Sequence, residues 1–318
     1  MGYSGDEDLV EVVQVSNEEV KADLQDRRTF IGGSDAPVIM GISPWKTPYQ
    51  LWLEKTGQAP EADLSEIERV QWGIKLEDLV AREFVARTGM KVRRVNQRQR
   101  HKEKQYFVAQ IDRRIVGGGI LECKTTDGAR KSDWDDGVPD HYLVQVQHQM
   151  MVTGESFAYV AVLFGGNTFQ FYKVERDNDL IQNMEVILDN FWSLVQTKTP
   201  PEPSSTEEAR QMWRKPSADV VIGGDDEKSI LKDLLEVKDQ IEALKGKQDE
   251  LELALQMKLQ DLGDTLSIAG IQVVSWKTQS RTSIDTKALE LSYPDIASQF
   301  KRTSESRVFR VLKGAREL

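Results

Sequence analysis

The chain has 318 residues, enough for one large domain or two ordinary ones with a proper core. Hydrophobic residues make up 39%, charged residues 30%, and the formal net charge is −10, a soluble and globular composition that argues mildly against nucleic acid unless the basic residues are clustered. A single cysteine, Cys123, excludes an internal disulfide framework and any four-cysteine zinc or iron–sulfur site.

Residues 1–24 read as a mobile acidic leader. The start, "MGYSGDEDLVEVVQ", lacks the basic-then-apolar build of a signal peptide, and no apolar run approaches the roughly 18 residues of a membrane span. The expected location is therefore the cytoplasm. Next comes a Gly-Gly-Ser-Asp turn, with a helix expected after Ser34 or Asp35 and another opening at Thr47 and Pro48, a capping residue followed by a proline in the first turn. From about Ser65 to Thr88, Ile67, Val70, Ile74, Leu79, Val80 and Phe84 recur at helical spacing, and Gly89 ends that helix. Strands are expected at 91–100, 105–116 and 119–125, the last two joined by a "GGG" turn. "PDHYLVQVQHQMMVTG" reads as a helix closed by Gly154, followed by strands at 156–164 and 168–175 around "GGN" and a helix over 177–196.

These elements make an α/β (α+β) domain over 25–197, with a central mixed sheet flanked by helices. The proline-rich segment from 198 to 225 reads as a linker. Residues 226–318 form an accessory module: a long helix with a coiled-coil-like seam at 230, 234, 237, 241, 244, 248, 251, 255, 258 and 262, then a hairpin, a helix over 285–300 and a last strand in "SRVFRVL".

One pattern carries chemistry. Asp112, in "AQIDRRI", precedes Glu122 and Lys124, in "ILECK", across the glycine turn. Glu122 and Lys124 are two apart and share a strand face. Two carboxylates brought together repel unless a cation lies between them or one is protonated. Oxygen ligands on a strand suit Mg²⁺ or Mn²⁺, with the Cys123 carbonyl as a further ligand. A neighbouring lysine then holds water or neutralises charge on phosphorus, so the chemistry that fits is metal-dependent phosphodiester hydrolysis. A plain salt bridge is the alternative. His101, His141 and His148 lack the spacing of a zinc pair, and no Walker-type loop is present. Residues 91–104 cluster seven Lys/Arg against one Glu, a candidate DNA-channel wall or a solvated edge. Trp45, Trp52 and Trp72 read as core residues in preference to base-stacking ones.

The run "RRTFIGGSDAPVIMGISPWKTPYQLWLEKTG", "WGIKLEDLVAREF", "AQIDRRI", "ILECK" and "YLVQVQHQMMVTG" resembles the lambda-exonuclease (YqaJ-type) viral recombinase family, a branch of the PD-(D/E)XK nucleases, over roughly 27–197. The resemblance implies that Asp112 and Glu122 bind metal with the Cys123 carbonyl, that Glu77 completes the shell of a second ion, and that Lys124 and Gln147 act on the nucleophile. Gln145 is a local rival to Gln147. It further implies a 5′-phosphate pocket with Ser34 and Arg27, Arg28 remaining open as the arginine. The implied activity is Mg²⁺- or Mn²⁺-dependent digestion of the 5′-ended strand at linear double-stranded DNA ends. The 3′ strand is left for a single-strand annealing protein, and the enzyme is a homo-oligomer, a trimeric ring. Neither zinc nor an iron–sulfur cluster is expected. A structure-specific or nicking endonuclease and a noncatalytic DNA-binding scaffold are the alternatives.

Overall fold

A computed structural model describes residues 27–60, 67–214, 220–302 and 307–317. The expected leader lies outside these residues. The chain divides into two compact units between Ala209 and Arg210.

The first unit holds two sheets. The smaller has the order β1 (Ile31–Gly32), β4 (Phe107–Ala109), β3 (Gln99–Arg100), with β1 parallel to β4. The larger is a mixed five-stranded sheet in the order β2 (Val92–Arg94), β5 (Arg113–Ile115), β6 (Ile120–Thr126), β7 (Phe157–Phe164), β8 (Thr168–Glu175). Only β6 and β7 in it are parallel, and the helix Asp140–Thr153 lies within their connection, as a parallel pair demands. The expected strands at 91–100 and 105–116 are each split between the two sheets. The chain leaves the small sheet after Ala109 and joins the large one at Arg113, so Gln110, Ile111 and Asp112 form the step between them.

Turn chemistry sets the remaining boundaries. Thr47 caps the helix Pro48–Lys55 in a capping box with Gln50. Gly89 and Gly154 end their helices at φ 73° and 76°, the left-handed region where glycine carries no Cβ penalty. Gly119 has φ 93°, and a Cβ there would come within 2.4 Å of the Phe157 ring, so the β5–β6 turn needs glycine on two counts.

The helix Glu68–Thr88 covers one face of the large sheet. Val80, Ala81 and Phe84 pack with Ile115, Leu121, Ala161, Leu163 and Phe169. Ile74, 66% exposed, and Leu79, 54% exposed, do not join this core, contrary to the burial their spacing suggests. Of the three tryptophans expected inside, Trp52 is buried with its indole N–H on the Leu194 carbonyl, whereas Trp45 and Trp72 are exposed.

The segment expected as a linker holds a helix, Thr206–Met212. Glu208 on it is buried and accepts hydrogen bonds from the Thr47 hydroxyl and from the Ser204 backbone at 2.7 Å. That ties the chain through Ala209 to the first unit.

The second unit contains the helix Asp225–Leu259, the hairpin β9 (Thr265–Ile268) and β10 (Ile271–Ser275), and two short helices, Thr286–Ser292 and Pro294–Gln299. Pro294 interrupts the single helix expected there. Residues 307–312 carry no strand, and Ser306 of the expected last strand lies outside the described residues. No described helix is long and apolar enough to cross a membrane.

Candidate active site

Alternation along β6 separates two environments. Leu121 and Cys123 belong to the face packed under the helix Glu68–Thr88. Glu122 and Lys124 face the other way, toward the helix Asp140–Thr153, and hydrogen bonds show this directly. The Lys124 ammonium donates to Glu122 Oε1 at 2.7 Å and to Gln145 Oε1 at 3.1 Å. Glu122 Oε1 also accepts from Gln145 at 2.7 Å, and Glu122 Oε2 accepts from Gln149 at 2.8 Å. Glu122 is 4% exposed, so a buried carboxylate is fully surrounded by donors, the condition for holding a charge in a poorly solvated place. Burial works against the Lys124 charge, but Glu122 and Asp112 outweigh it and hold the ammonium above its ordinary pKa. The Lys124 ammonium also lies 4.8 Å from the centre of the Tyr142 ring.

Asp112, at the step between the sheets, accepts a 2.7 Å hydrogen bond from the Cys123 N–H. The N–H and C=O of one residue leave a strand on the same side, so the Cys123 carbonyl faces the Asp112 side of β6. Burial first, then the charges of Glu122 and Glu77, push the Asp112 carboxyl well above the usual carboxylate range. The Cys123 thiol is likewise pushed up, by burial and then by Asp112 and Glu122, and is inert as a nucleophile.

Glu77 acts on Asp112 through its charge, but its side chain is bonded elsewhere. Its Oε1 accepts from Arg113 at 2.5 Å, and Asp78 accepts from the same guanidinium at 3.2 Å. Arg113 is 4% exposed and also donates to the Asp112 carbonyl at 2.8 Å. A buried guanidinium requires counter-charge, and Glu77 supplies it. Among the described residues no group of three His, Cys, Asp or Glu side chains is gathered as a metal site. The donor set that fits a hard divalent cation is smaller: the Asp112 and Glu122 carboxylates, whose mutual repulsion a cation relieves, and the Cys123 carbonyl.

Gln147 is also not at the site. Its amide donates to the Glu175 carbonyl at 2.8 Å and accepts from the Asp177 N–H at 3.0 Å, tying the end of β8 to the start of the helix Asn178–Thr197. At 3.6 residues per turn, Gln145 and Gln149 share a face and Gln147 points away. Gln145 and Gln149 are the glutamines of the site, and Gln149 is 1% exposed with its Oε1 unpartnered in the protein.

The loop before the helix Ala36–Ile39 crosses over these two glutamines. A Cβ on Gly33 would lie 3.4 Å from Gln149 and 3.5 Å from Gln145. Lys55 locks the loop: its ammonium donates to the Arg27 and Phe30 carbonyls at 2.7 and 2.8 Å and pairs with buried Asp35 at 2.7 Å. With Asp35 turned inward, Ser34 is left exposed on the outer side, and Asp35, not Ser34, occupies the helix N-cap position. A pocket of about 140 Å³ results, lined by Arg27, Gly33, Ser34, Arg98, Gln145 and Gln149 among others. Arg28 does not line it and instead lies against Gly57, with its Nε buried.

The basic stretch 91–104 divides by function of its side chains. Lys104 is held by Asp189 and by Glu185 at 2.7 Å, and Arg100 by the Gln105 carbonyl at 2.8 Å. Arg93, Arg94 and Arg98 instead line an open hollow with Asn96, Gln97 and Arg114. Arg98 lines both this hollow and the Ser34 pocket and lies 5.0 Å from the centre of the Phe30 ring. Gln149 and Arg113 were not singled out in the sequence, and Arg98 was marked only as part of the basic cluster 91–104. Gln149 had a usable signal in its four-residue spacing from Gln145.

Comparison with known proteins bears on this arrangement. The model of the YqaJ-like viral recombinase domain matches residues 24–156. The Bacillus subtilis (strain 168) protein called "Uncharacterized protein YqaJ" is 37% identical over 313 residues, 93% of this chain and 96% of that protein. Among solved structures, the alkaline exonuclease LHK-Exo of Laribacter hongkongensis is 21% identical at a TM-score of 0.48, over 57% of this chain and 94% of that one. A phage-related exonuclease from Haemophilus somnus 129PT is 13% identical at a TM-score of 0.41, over 53% of this chain and 94% of that one.

Proposed function

Since the chain belongs to the YqaJ-like viral recombinase family, we propose that it is a phage-type recombination nuclease that hydrolyses phosphodiester bonds at the ends of linear double-stranded DNA. The observation that carries this reading is a shared wall. Gln145 and Gln149 hold Glu122 and Lys124 on one side and line the Ser34–Arg27 pocket on the other. A terminal phosphate in the pocket and a scissile phosphate at Lys124 would then lie a short way apart on one strand.

In this reading Asp112, Glu122 and the Cys123 carbonyl would hold Mg²⁺ or Mn²⁺, which when bound would supply Lewis-acid activation of water and neutralise charge on the phosphoryl oxygens. Lys124 orients the attacking water or stabilises the extra negative charge on phosphorus. Gln145 and Gln149 fix Glu122 and Lys124 in that geometry, the supporting role that outer hydrogen bonds play around metal carboxylates. Ser34 and Arg27 take the terminal phosphate, Arg27 by charge-assisted hydrogen bonds. Arg93, Arg94 and Arg98 give a chain of −10 net charge a local positive surface for the duplex backbone, beside Arg114, whose charge is paired with Glu155 at 2.8 Å.

Family membership supports the finer reading. The 5′-ended strand is the one removed, the exposed 3′ strand passes to a single-strand annealing protein, and copies of the chain assemble around the duplex, as a trimeric ring. The test uses linear duplexes labelled separately on each strand, a circular duplex of the same sequence, and Mg²⁺. Loss of the 5′-ended strand with the circle untouched is the expected result. Cutting of the circle would replace the proposal with an endonuclease, and loss of the 3′-ended strand would reverse the polarity.

A further inference from the structure

Trp45 lies outside the core in which its sequence context places it, and its surroundings point to the active site. It stands in the loop between the helices Ala36–Ile39 and Pro48–Lys55. The Thr47 capping box and an ion pair of Lys46 with Glu54, at 2.6 Å, hold the end of that loop. The indole is 54% exposed. Its ring neighbours come from the helix that carries Gln145 and Gln149: His141 edge-on at 4.9 Å between ring centres, and Tyr142 at 6.3 Å. The rings of His141 and Tyr142 are themselves 4.1 Å apart. A tryptophan is thus held in place on two further rings with half of its surface open.

The helix Asp140–Thr153 sets the features of the site in one order. Gln149 and Gln145 line the pocket of Ser34 and Arg27. Gln145 also accepts from Lys124 at 3.1 Å, and the Lys124 ammonium lies 4.8 Å from the centre of the Tyr142 ring. Tyr142 and His141 come last, with Trp45 against them. From Gln149 to His141 is eight positions, about 12 Å at 1.5 Å per residue, the span of three to four bases at a rise of ~3.4 Å each. A strand with its end in the pocket and a phosphodiester at Lys124 therefore continues toward the three rings. The sugar on the far side of that phosphodiester carries a base, and this base is the group brought within reach of the indole. An aromatic face stacks on any base, which suits hydrolysis that proceeds through every sequence.

We propose that Trp45, backed by His141 and Tyr142, is a stacking platform for the first unpaired base on the duplex side of the scissile phosphate. The inference rests on the nuclease reading, from which it takes the path of the strand.

The test measures binding of the full chain in EDTA by fluorescence anisotropy, so that binding is read apart from cleavage. The probe is a linear 5′-phosphorylated duplex whose first three nucleotides on the 5′-ended strand are unpaired. It carries either normal bases throughout or abasic sugars at the second and third positions. The wild type should bind the base-bearing end roughly 5- to 100-fold more tightly, the usual worth of a base on an aromatic ring. Trp45→Ala should abolish that preference and Trp45→Phe should keep most of it, each at unchanged far-ultraviolet circular dichroism. Equal binding of the two ends by the wild type overturns the proposal. So does a preference that survives in Trp45→Ala, or one that Trp45→Phe loses as fully; a loss of stability with the preference intact makes Trp45 only a clamp between loop and helix. Cleavage by the same wild-type protein with Mg²⁺ separates the two claims. Cleavage without a base preference removes the platform alone, whereas a Trp45-dependent base preference without cleavage removes the nuclease and keeps the platform.

Discussion

His148 sits at the centre of the helix that carries Gln145 and Gln149. It is 0% exposed, packed edge-on to Phe107, and neither ring nitrogen has a hydrogen-bond partner in the protein. Burial lowers its pKa from 6.5 to about 4, a nearby Asp35 opposing the shift only in part. The unfolded chain therefore binds a proton that the folded chain refuses between these two values, and stability falls as pH drops through that window. At ~1.36 kcal/mol per tenfold difference in proton affinity, the full effect is about 3 kcal/mol, of which about 2 kcal/mol is lost between pH 7.5 and pH 5. Urea unfolding of the wild type and of His148→Phe, each at both pH values, isolates this contribution. Every other titrating group is common to the two proteins, so its contribution cancels in the double difference. The variant should lose about 2 kcal/mol less than the wild type on acidification. Equal losses in the two proteins would mean that His148 is solvated or paired when folded, and the reasoning would fail.

Other outcomes follow from particular contacts. Gln147→Ala should cost about 2 kcal/mol of stability, because it strands the Glu175 carbonyl and the Asp177 N–H, yet leave turnover of the folded enzyme unchanged. Gln149→Ala should instead lower cleavage by roughly 10- to 100-fold, the usual penalty for losing a support of a metal-binding carboxylate; equal effects on activity would refute the separation of the two glutamines. Arg27→Ala should remove any preference for a 5′-phosphorylated end over a 5′-hydroxyl end, a loss of roughly tenfold for a charge-assisted hydrogen bond, while Arg28→Ala should keep the preference. Gly119→Ala should lower the melting temperature sharply, by about 2–4 kcal/mol of stability, since the Phe157 ring must move for an added methyl group; a neutral change would show that the β5–β6 turn relaxes freely.

Much of the frame was legible because glycine and proline punctuate it. Gly89, Gly154 and the Gly117–Gly119 turn mark the ends of elements by conformations that other residues resist, and Thr47 with Pro48 announces a helix start. The step at Gln110–Asp112 carries no such mark, so two strands of different sheets read as one. Glu122 and Lys124 were legible as a pair because a strand has a period of two. The choice between Gln147 and Gln145 was not, for a physical reason. The helix Asp140–Thr153 is buried at Val144 and at every position from Val146 to Val152, so it has no polar stripe from which to read which face meets β6. The pairing of Glu77 with Arg113 was not legible for a related reason: Arg113 comes from β5, a contact that neighbours in sequence do not reveal. Ile74 has core spacing but lies on a turn before Val80, and Leu79, next to Val80, points to the opposite side of the helix from the packed face.

The central claim is that Glu122 and Lys124, held by Gln145 and Gln149, form the hydrolytic centre. The most direct measurement runs wild type beside Lys124→Ala on a 5′-phosphorylated linear duplex with Mg²⁺ or Mn²⁺, matched for folded protein by circular dichroism. Strand loss in the wild type that falls by about 10²-fold or more in the variant is the predicted result, the cost of removing a donor from the developing charge. Undiminished cleavage by folded Lys124→Ala, or no divalent-dependent cleavage by the wild type, would contradict it and leave Glu122 and Lys124 as a buried salt bridge.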